Sequence, residues 1–160
     1  YGYDIHGNVM RLSLLRAPKA PDPICDMGVH RFTYVLLPHF DQVQHSDVVA
    51  AAYALNAPVR HAHLTSGLGQ DGELPRLISI DTRNLVVESV KKAEDSNRII
   101  VRLYECHNTR GSAELYCARP VKTAWLTDLN ERPIKELELN DGLVAVDFKP
   151  FEIITLMLEV

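Results

Sequence analysis

The chain has 160 residues, enough for one ordinary domain or two small ones and for a core that needs no disulfide or metal to hold it. Apolar residues make up 46% and charged residues 24%, an average globular composition. The formal net charge of −4 comes from interspersed acidic and basic residues, which excludes a basic footprint for nucleic acid and a polybasic membrane patch.

The N-terminus, YGYDIHGNVM, lacks the charged region and apolar stretch of a signal peptide. It also lacks an initiator Met, so the chain reads as part of something longer. No run approaches the roughly 20 apolar residues of a membrane span. Met10 to Leu15 alternates, with Met10, Leu12 and Leu14 on one face and Arg11 and Ser13 on the other, which predicts a strand. RAPKAPDPICDMGVHRFTYVLLPH follows, from Arg16 to His39. Its prolines read as a loop, and Phe32 to Leu37 as a β-rich run closed by Pro38. Ser46 to Asn56, SDVVAAAYALN, breaks the period of two: alanine-rich and opened by Ser46 as N-cap, it predicts one helix of about three turns. TSGLGQDGELP, Thr65 to Pro75, has three glycines and no periodicity, and reads as a loop or a boundary between subdomains.

Strands then follow in quick succession: Leu77–Ile80, Leu85–Val90, Ile99–Tyr104, Ala113–Ala118, Val121–Leu126, Leu143–Phe148 and Ile153–Leu158. The turns between them are legible as EDSN at Glu94, NTRG at Asn108, NERP at Asn130 and NDG at Asn140, the last with tight-hairpin chemistry. Short strands at near-regular spacing predict an all-β fold, an antiparallel β-sandwich.

Chemistry-bearing motifs are sparse. Cys25, Cys106 and Cys117 are odd in number and form no C-x-x-C, which argues against a disulfide framework and a zinc ribbon; free thiols fit a reducing cytosol. His61 and His63 form H-x-H, which on a strand puts both rings on one face, but His30, His39 and His45 add no recognised ligand spacing. Cys25 and His30 sit closer in sequence than nucleophilic pairs usually do. GLGQDG, Gly67 to Gly72, lacks the strand and helix that flank a phosphate loop. Asp22 and Asp26 lie in the proline-rich loop, and Glu105, Glu131 and Glu152 lie at strand ends or turns, where solvated carboxylates are the rule. The tyrosines and Trp125 lie mostly at alternating strand positions, where a core role is the default and a sugar-stacking platform the alternative.

Five stretches taken in order carry more. They are YGYDIHGNVMRLSLLRAPKAP from Tyr1, DMGVHRFTYVLLPH from Asp26, RLYECHNTRG from Arg102, TDLNERP from Thr127 and FKPFEIITLMLEV from Phe148. Together they resemble the C-terminal β region of glycoside hydrolase family 38 α-mannosidases, most closely the cytosolic type that trims free oligosaccharides. The resemblance covers nearly the whole chain.

It implies that residues 1–67 are closing strands of a large central β-sandwich, with the helix, and residues 73–160 a C-terminal β-sandwich. It implies a retaining hydrolase acting on mannose-containing oligosaccharides in the cytoplasm, whose catalytic barrel carries the carboxylates and a divalent metal, usually zinc. No cofactor and no metal ligand are carried over to this chain. The expected partners are the barrel of the same polypeptide and the mannoside, with no nucleic acid and no membrane. An incomplete sheet in the first part would have to be covered by another chain, a second copy included, or by the second part. In this family a loop from the large β domain reaches the catalytic site; Pro18 to His30 matches its position, making Asp22, Asp26, His30 and Arg31 the candidate substrate contacts. The alternative function is a sugar-binding module with its own weak site near Trp125.

Overall fold

A computed structural model describes residues 2–57, 59 and 76–160. It divides into two compact units, one ending at Leu37 and the other running from Pro38 to Val160. The predicted glycine-rich loop, its expected boundary and the His61/His63 pair lie outside the described residues.

The first unit is built on one hairpin. β1 (Tyr3–His6) pairs antiparallel with β2 (Val9–Leu12), with His6 opposite Val9. That register leaves a two-residue turn, and Gly7 takes φ +61 in it, a conformation that favours glycine. Every residue of both strands is exposed, Ile5, Met10 and Leu12 included. Phe32 to Leu37, predicted as a strand, joins no ladder, and Phe32, Tyr34, Val35 and Leu36 are exposed. Alternation is a local signal, whereas a strand is defined by a partner, and none of the described residues pairs with this run.

The second unit opens with a single 3₁₀ turn at Val43–His45 and then α1 (Val48–Asn56). The helix begins two residues after the predicted N-cap. Ser46 Oγ nonetheless lies 3.4 Å from the Val48 amide and donates to Val43 O at 2.9 Å. No residue of α1 is fully buried.

The rest is a two-layer antiparallel sandwich. One sheet has the order β3 (Ile78–Ile80), β6 (Gly111–Cys117), β10 (Leu143–Phe148), β9 (Leu139–Asn140). The other has the order β4 (Leu85–Lys92), β5 (Ile99–Glu105), β11 (Ile153–Glu159), β7 (Thr123–Thr127), β8 (Pro133–Leu137). The predicted all-β sandwich with one short helix is therefore present. β8, β9 and the N-terminal hairpin strand β1 are additions to the predicted set. The NDG turn joins β9 to β10, with Asp141 at φ 50 and Gly142 at φ 84 between the paired Asn140 and Leu143. Two positive φ values in a two-residue loop match the twist of the flanking strands.

Alternation decides what is inside. From the five-stranded sheet Val101, Leu103, Leu156 and Leu158 point into the core, and Leu115, Val144, Val146 and Phe148 meet them from the four-stranded sheet. Burying one such side chain fully is worth about 1.5–3 kcal/mol. The intervening residues of β5 and β11 face outward. At one end Ile100 and Met157 form a small second cluster with Ala93 and Trp125. At the other, Arg102 stands opposite Thr155 and Tyr104 opposite Ile153. In β4 the register shifts between Val87 and Ser89, which makes Glu88 a bulged residue.

Candidate functional site

The proline-rich loop of the first unit folds on local hydrogen bonds. Asp22 closes a turn: its carboxylate accepts from the Ile24 amide at 3.0 Å and its carbonyl from Cys25 at 3.3 Å. Asp26 follows at φ 55. Its carboxylate accepts from the Cys25 thiol at 3.2 Å, and its carbonyl accepts from His30 Nε2 at 2.6 Å. The thiol's own hydrogen bond to the Asp26 carboxylate first, then burial and the Asp26 charge, push Cys25 up from its ordinary value, which makes it a poor nucleophile. Asp22, Asp26 and His30 thus gather within one exposed turn system. Arg31 makes no hydrogen bond or ion pair among the described residues. Such a turn can offer carboxylate oxygens to hydroxyl groups, but the Asp26–His30 contact uses the aspartate's backbone, leaving its side chain free of the histidine.

In the second unit the outward face of the five-stranded sheet carries a denser group of polar side chains. The Tyr53 hydroxyl, from α1, donates to the Glu88 carboxylate, and the Tyr104 hydroxyl lies 3.0 Å from Tyr53. The Glu88 hydrogen bond above all, then that with Tyr104 and burial, push the Tyr53 phenol well above its usual range. Arg83 forms an ion pair with Asp47 just before α1. Arg102 donates to Leu129 O at 3.1 Å. Beside Tyr53, Tyr104 and Phe151 lies an open, mainly apolar hollow of about 700 Å³.

Sequence patterning groups Glu105 with solvated strand-end carboxylates, and the structure corrects this. Glu105 is 1% exposed. Its Oε1 accepts from the His107 amide at 2.9 Å, the Thr109 amide at 3.0 Å and the Thr109 hydroxyl at 2.8 Å. Its Oε2 accepts from the Asn108 amide at 3.0 Å and the Phe151 amide at 2.8 Å. Burial pushes the carboxyl up, but the amides of Phe151, Thr109 and His107 and the Thr109 hydroxyl outweigh it, and the net value lies below the usual range. Its lone pairs are committed to closing two loops, so it is a structural anion.

His107 is the residue that motif reading passes over. It is 4% exposed, and its Nδ1 lies 3.2 Å from Asn84 Oδ1. Buried histidines of this kind have no spacing signature, because the partner is 23 residues away on another turn. Trp125, the proposed stacking platform of the alternative reading, is half-buried, with the Arg98 guanidinium 4.6 Å from its ring centre. Among the described residues no group of three His, Cys, Asp or Glu is arranged to hold a metal ion, and no helix is long and apolar enough to cross a membrane.

Comparison with known proteins gives this arrangement its context. Residues 84–156 match the glycosyl hydrolases family 38 C-terminal beta sandwich domain. The chain is 39% identical over 167 residues to alpha-mannosidase 2C1 of Mus musculus, covering 99% of the chain and 16% of that protein. The same protein of Homo sapiens is 39% identical over 163 residues, with the same coverage. An alpha-mannosidase of Saccharomyces cerevisiae is 32% identical over 175 residues, covering 96% of the chain and 16% of its own length. The chain belongs to glycosyl hydrolase family 38 and carries that family's C-terminal β-sandwich domain, spanning 16% of the length of these relatives.

Proposed function

We propose that this chain is a non-catalytic C-terminal β region of a retaining α-mannosidase acting on terminal α-mannosides of oligosaccharides in the cytoplasm. The observation that carries the reading is likeness along 99% of the chain to proteins named alpha-mannosidases that are about six times longer. The buried carboxylate supports a structural role for these residues, since Glu105 spends both oxygens on amides and a hydroxyl. The catalytic carboxylates, and the divalent metal the family resemblance implies, then belong to the barrel of the same polypeptide, which is this region's partner together with the mannoside. The cytoplasmic assignment rests on the resemblance and on three cysteines that are all free thiols. The seam between the closing segment of a larger sandwich, residues 1–67, and the terminal sandwich, residues 73–160, falls at the glycine-rich loop.

Within this reading the loop Pro18 to His30 walls the mannose site. Asp26 is its best-placed contact, because its αL backbone and the His30 ring on its carbonyl fix the turn while both residues stay exposed. In the full-length enzyme Asp26→Asn and His30→Ala should each lower kcat/KM on an aryl α-mannoside by about tenfold, with thermal stability unchanged. Wild-type kcat/KM in both variants would remove the loop from the site. Absence of aryl α-mannosidase activity in the full-length wild type would remove the larger reading.

A further inference from the structure

We propose that Asp141–Gly142, the turn between β9 and β10, is a site of spontaneous covalent modification, at which the aspartate converts to isoaspartate. The reaction joins an aspartate side chain to the next backbone nitrogen. The Gly142 nitrogen bonds to Cγ of Asp141, and its proton leaves with the carboxyl hydroxyl as one water. A second water then opens the five-membered ring. Cleavage between Cγ and the nitrogen restores aspartate. Cleavage between the main-chain carbonyl carbon of Asp141 and the nitrogen leaves the backbone running through the side chain. One water is lost and one regained, so no oxidant, reductant or other co-reactant is needed.

Three features single out this position. First, Asp141 is the only Asp or Asn among the described residues that precedes a glycine, and both residues are exposed. Gly142 has no Cβ to crowd the attacking nitrogen, and no described atom lies within 4 Å of where a Cβ would stand. Second, both reacting groups are uncommitted. The Gly142 amide and the Asp141 carboxylate make no hydrogen bond or ion pair among the described residues. Other turn aspartates differ. Asp41 Oδ1 holds the next amide, that of Gln42, at 2.8 Å. Asp128 Oδ1 accepts from the Asn130 and Arg132 amides, each at 2.9 Å, and Asp22 precedes a proline. Third, ring closure needs the main chain at Asp141 to rotate out of its turn conformation, with φ 50 at Asp141 and φ 84 at Gly142. The flanking structure permits that. β9 is two residues long and lies at the edge of the four-stranded sheet, with Asn140 itself exposed. A short edge strand beside a solvated turn opens locally at little cost.

The test ages the full-length protein at physiological temperature and neutral pH. Isoaspartate is read by peptide mapping and by carboxyl methylation with an isoaspartyl methyltransferase and S-adenosylmethionine. Isoaspartate should accumulate at position 141 at least about fivefold faster than at Asp95, which precedes a serine in another exposed turn. The rate at position 141 in the folded protein should lie within about tenfold of that in the same chain held unfolded in urea, because only a local opening limits it. Asp141→Asn loses ammonia in place of water from the same geometry and should react at least about tenfold faster, since a carboxamide closes the ring more readily and Asn suits the turn. Asp141→Glu, whose ring would need six members, should lose the signal at this position. Absence of isoaspartate at position 141 in both wild type and Asp141→Asn would overturn the proposal. A folded-state rate slower than the unfolded one by more than the stated margin would also overturn it, since the turn would then protect the bond.

Discussion

At the scale of single residues, the anion at the end of β5 matters most to stability. Glu105 gathers four backbone amides and one hydroxyl from two loops 46 positions apart at the extreme. Hydrogen bonds to a charged group are worth about 1.5–3 kcal/mol each when a partner is removed, and they share one carboxylate here. Glu105→Ala should therefore cost at least about 3 kcal/mol in urea unfolding. The pH dependence has a definite sign. The folded-state carboxyl lies below its ordinary value, so its contribution is complete above the unfolded-state value and is lost as pH falls through the folded one. Wild type should lose stability on acidification more steeply than Glu105→Gln, which has no proton to take up there; parallel curves would show that the carboxylate's charge is irrelevant. This residue also marks a limit of sequence reading. Its position at a strand end is legible, but the Phe151 amide reaches it through tertiary closure, so solvated and buried carboxylates look alike in one dimension. His107 is hidden for the same reason. Asp22, Asp26 and His30 are different: each hydrogen bond that folds their turn joins residues no more than four positions apart, so the partners are near neighbours in the sequence.

At the scale of elements, strand existence is legible wherever alternation coincides with a buried partner. β10 is Leu143–Phe148, as the alternation predicts, and β11 runs one residue further than predicted, because both sit between neighbours that fix their faces. Phe32 to Leu37 is just as β-rich and joins no ladder among the described residues. α1 sits between these cases. Its alanine-rich composition favours helix, yet no residue is fully buried, so polar anchors at Asp47 and Tyr53 hold it near the sheet. Tyr53→Phe removes its bond to Glu88 and the contact with Tyr104, at a cost of about 1 kcal/mol for an exposed pair. Amide exchange along α1 should then speed up about fivefold while that of β5 and β11 stays unchanged. The raised phenol predicts the pH response. Its folded-state value lies above the unfolded one, so the anchor is intact below the ordinary phenol range, about 10, and weakens as pH rises beyond it. An alkaline loss of helical circular dichroism should appear in wild type and be absent in Tyr53→Phe. Identical titrations would mean that the hydroxyl network does not hold the helix.

At the scale of the whole molecule, the two units differ in what they can bury. The sandwich closes two sheets over one core, with Val101, Leu103, Leu115, Val144, Leu156 and Leu158 fully enclosed. The first unit has one two-stranded hairpin and a run of exposed apolar side chains, among them Ile24, Met27, Val29, Tyr34 and Leu36. An isolated hairpin is at best marginally stable in water, and an apolar surface of this kind marks a place where another element packs. In the reading proposed here that element is the remainder of a large central sandwich in the same polypeptide. The independent behaviour of the units follows. A fragment of residues 76–160 should unfold in one cooperative urea transition, with a slope of about 1–2 kcal/mol/M, as befits a small two-sheet domain. A fragment of residues 1–37 should show no transition and should bind a hydrophobic dye that the first fragment leaves largely unbound. The order matters for what the comparison tests, because a shared core would make neither fragment fold. If residues 1–37 unfolded cooperatively alone, the hairpin would hold a core of its own, and the need for a covering partner would disappear. If residues 76–160 failed to fold, the sandwich would depend on α1 or on the first unit, and its terminal-domain role would have to be redrawn.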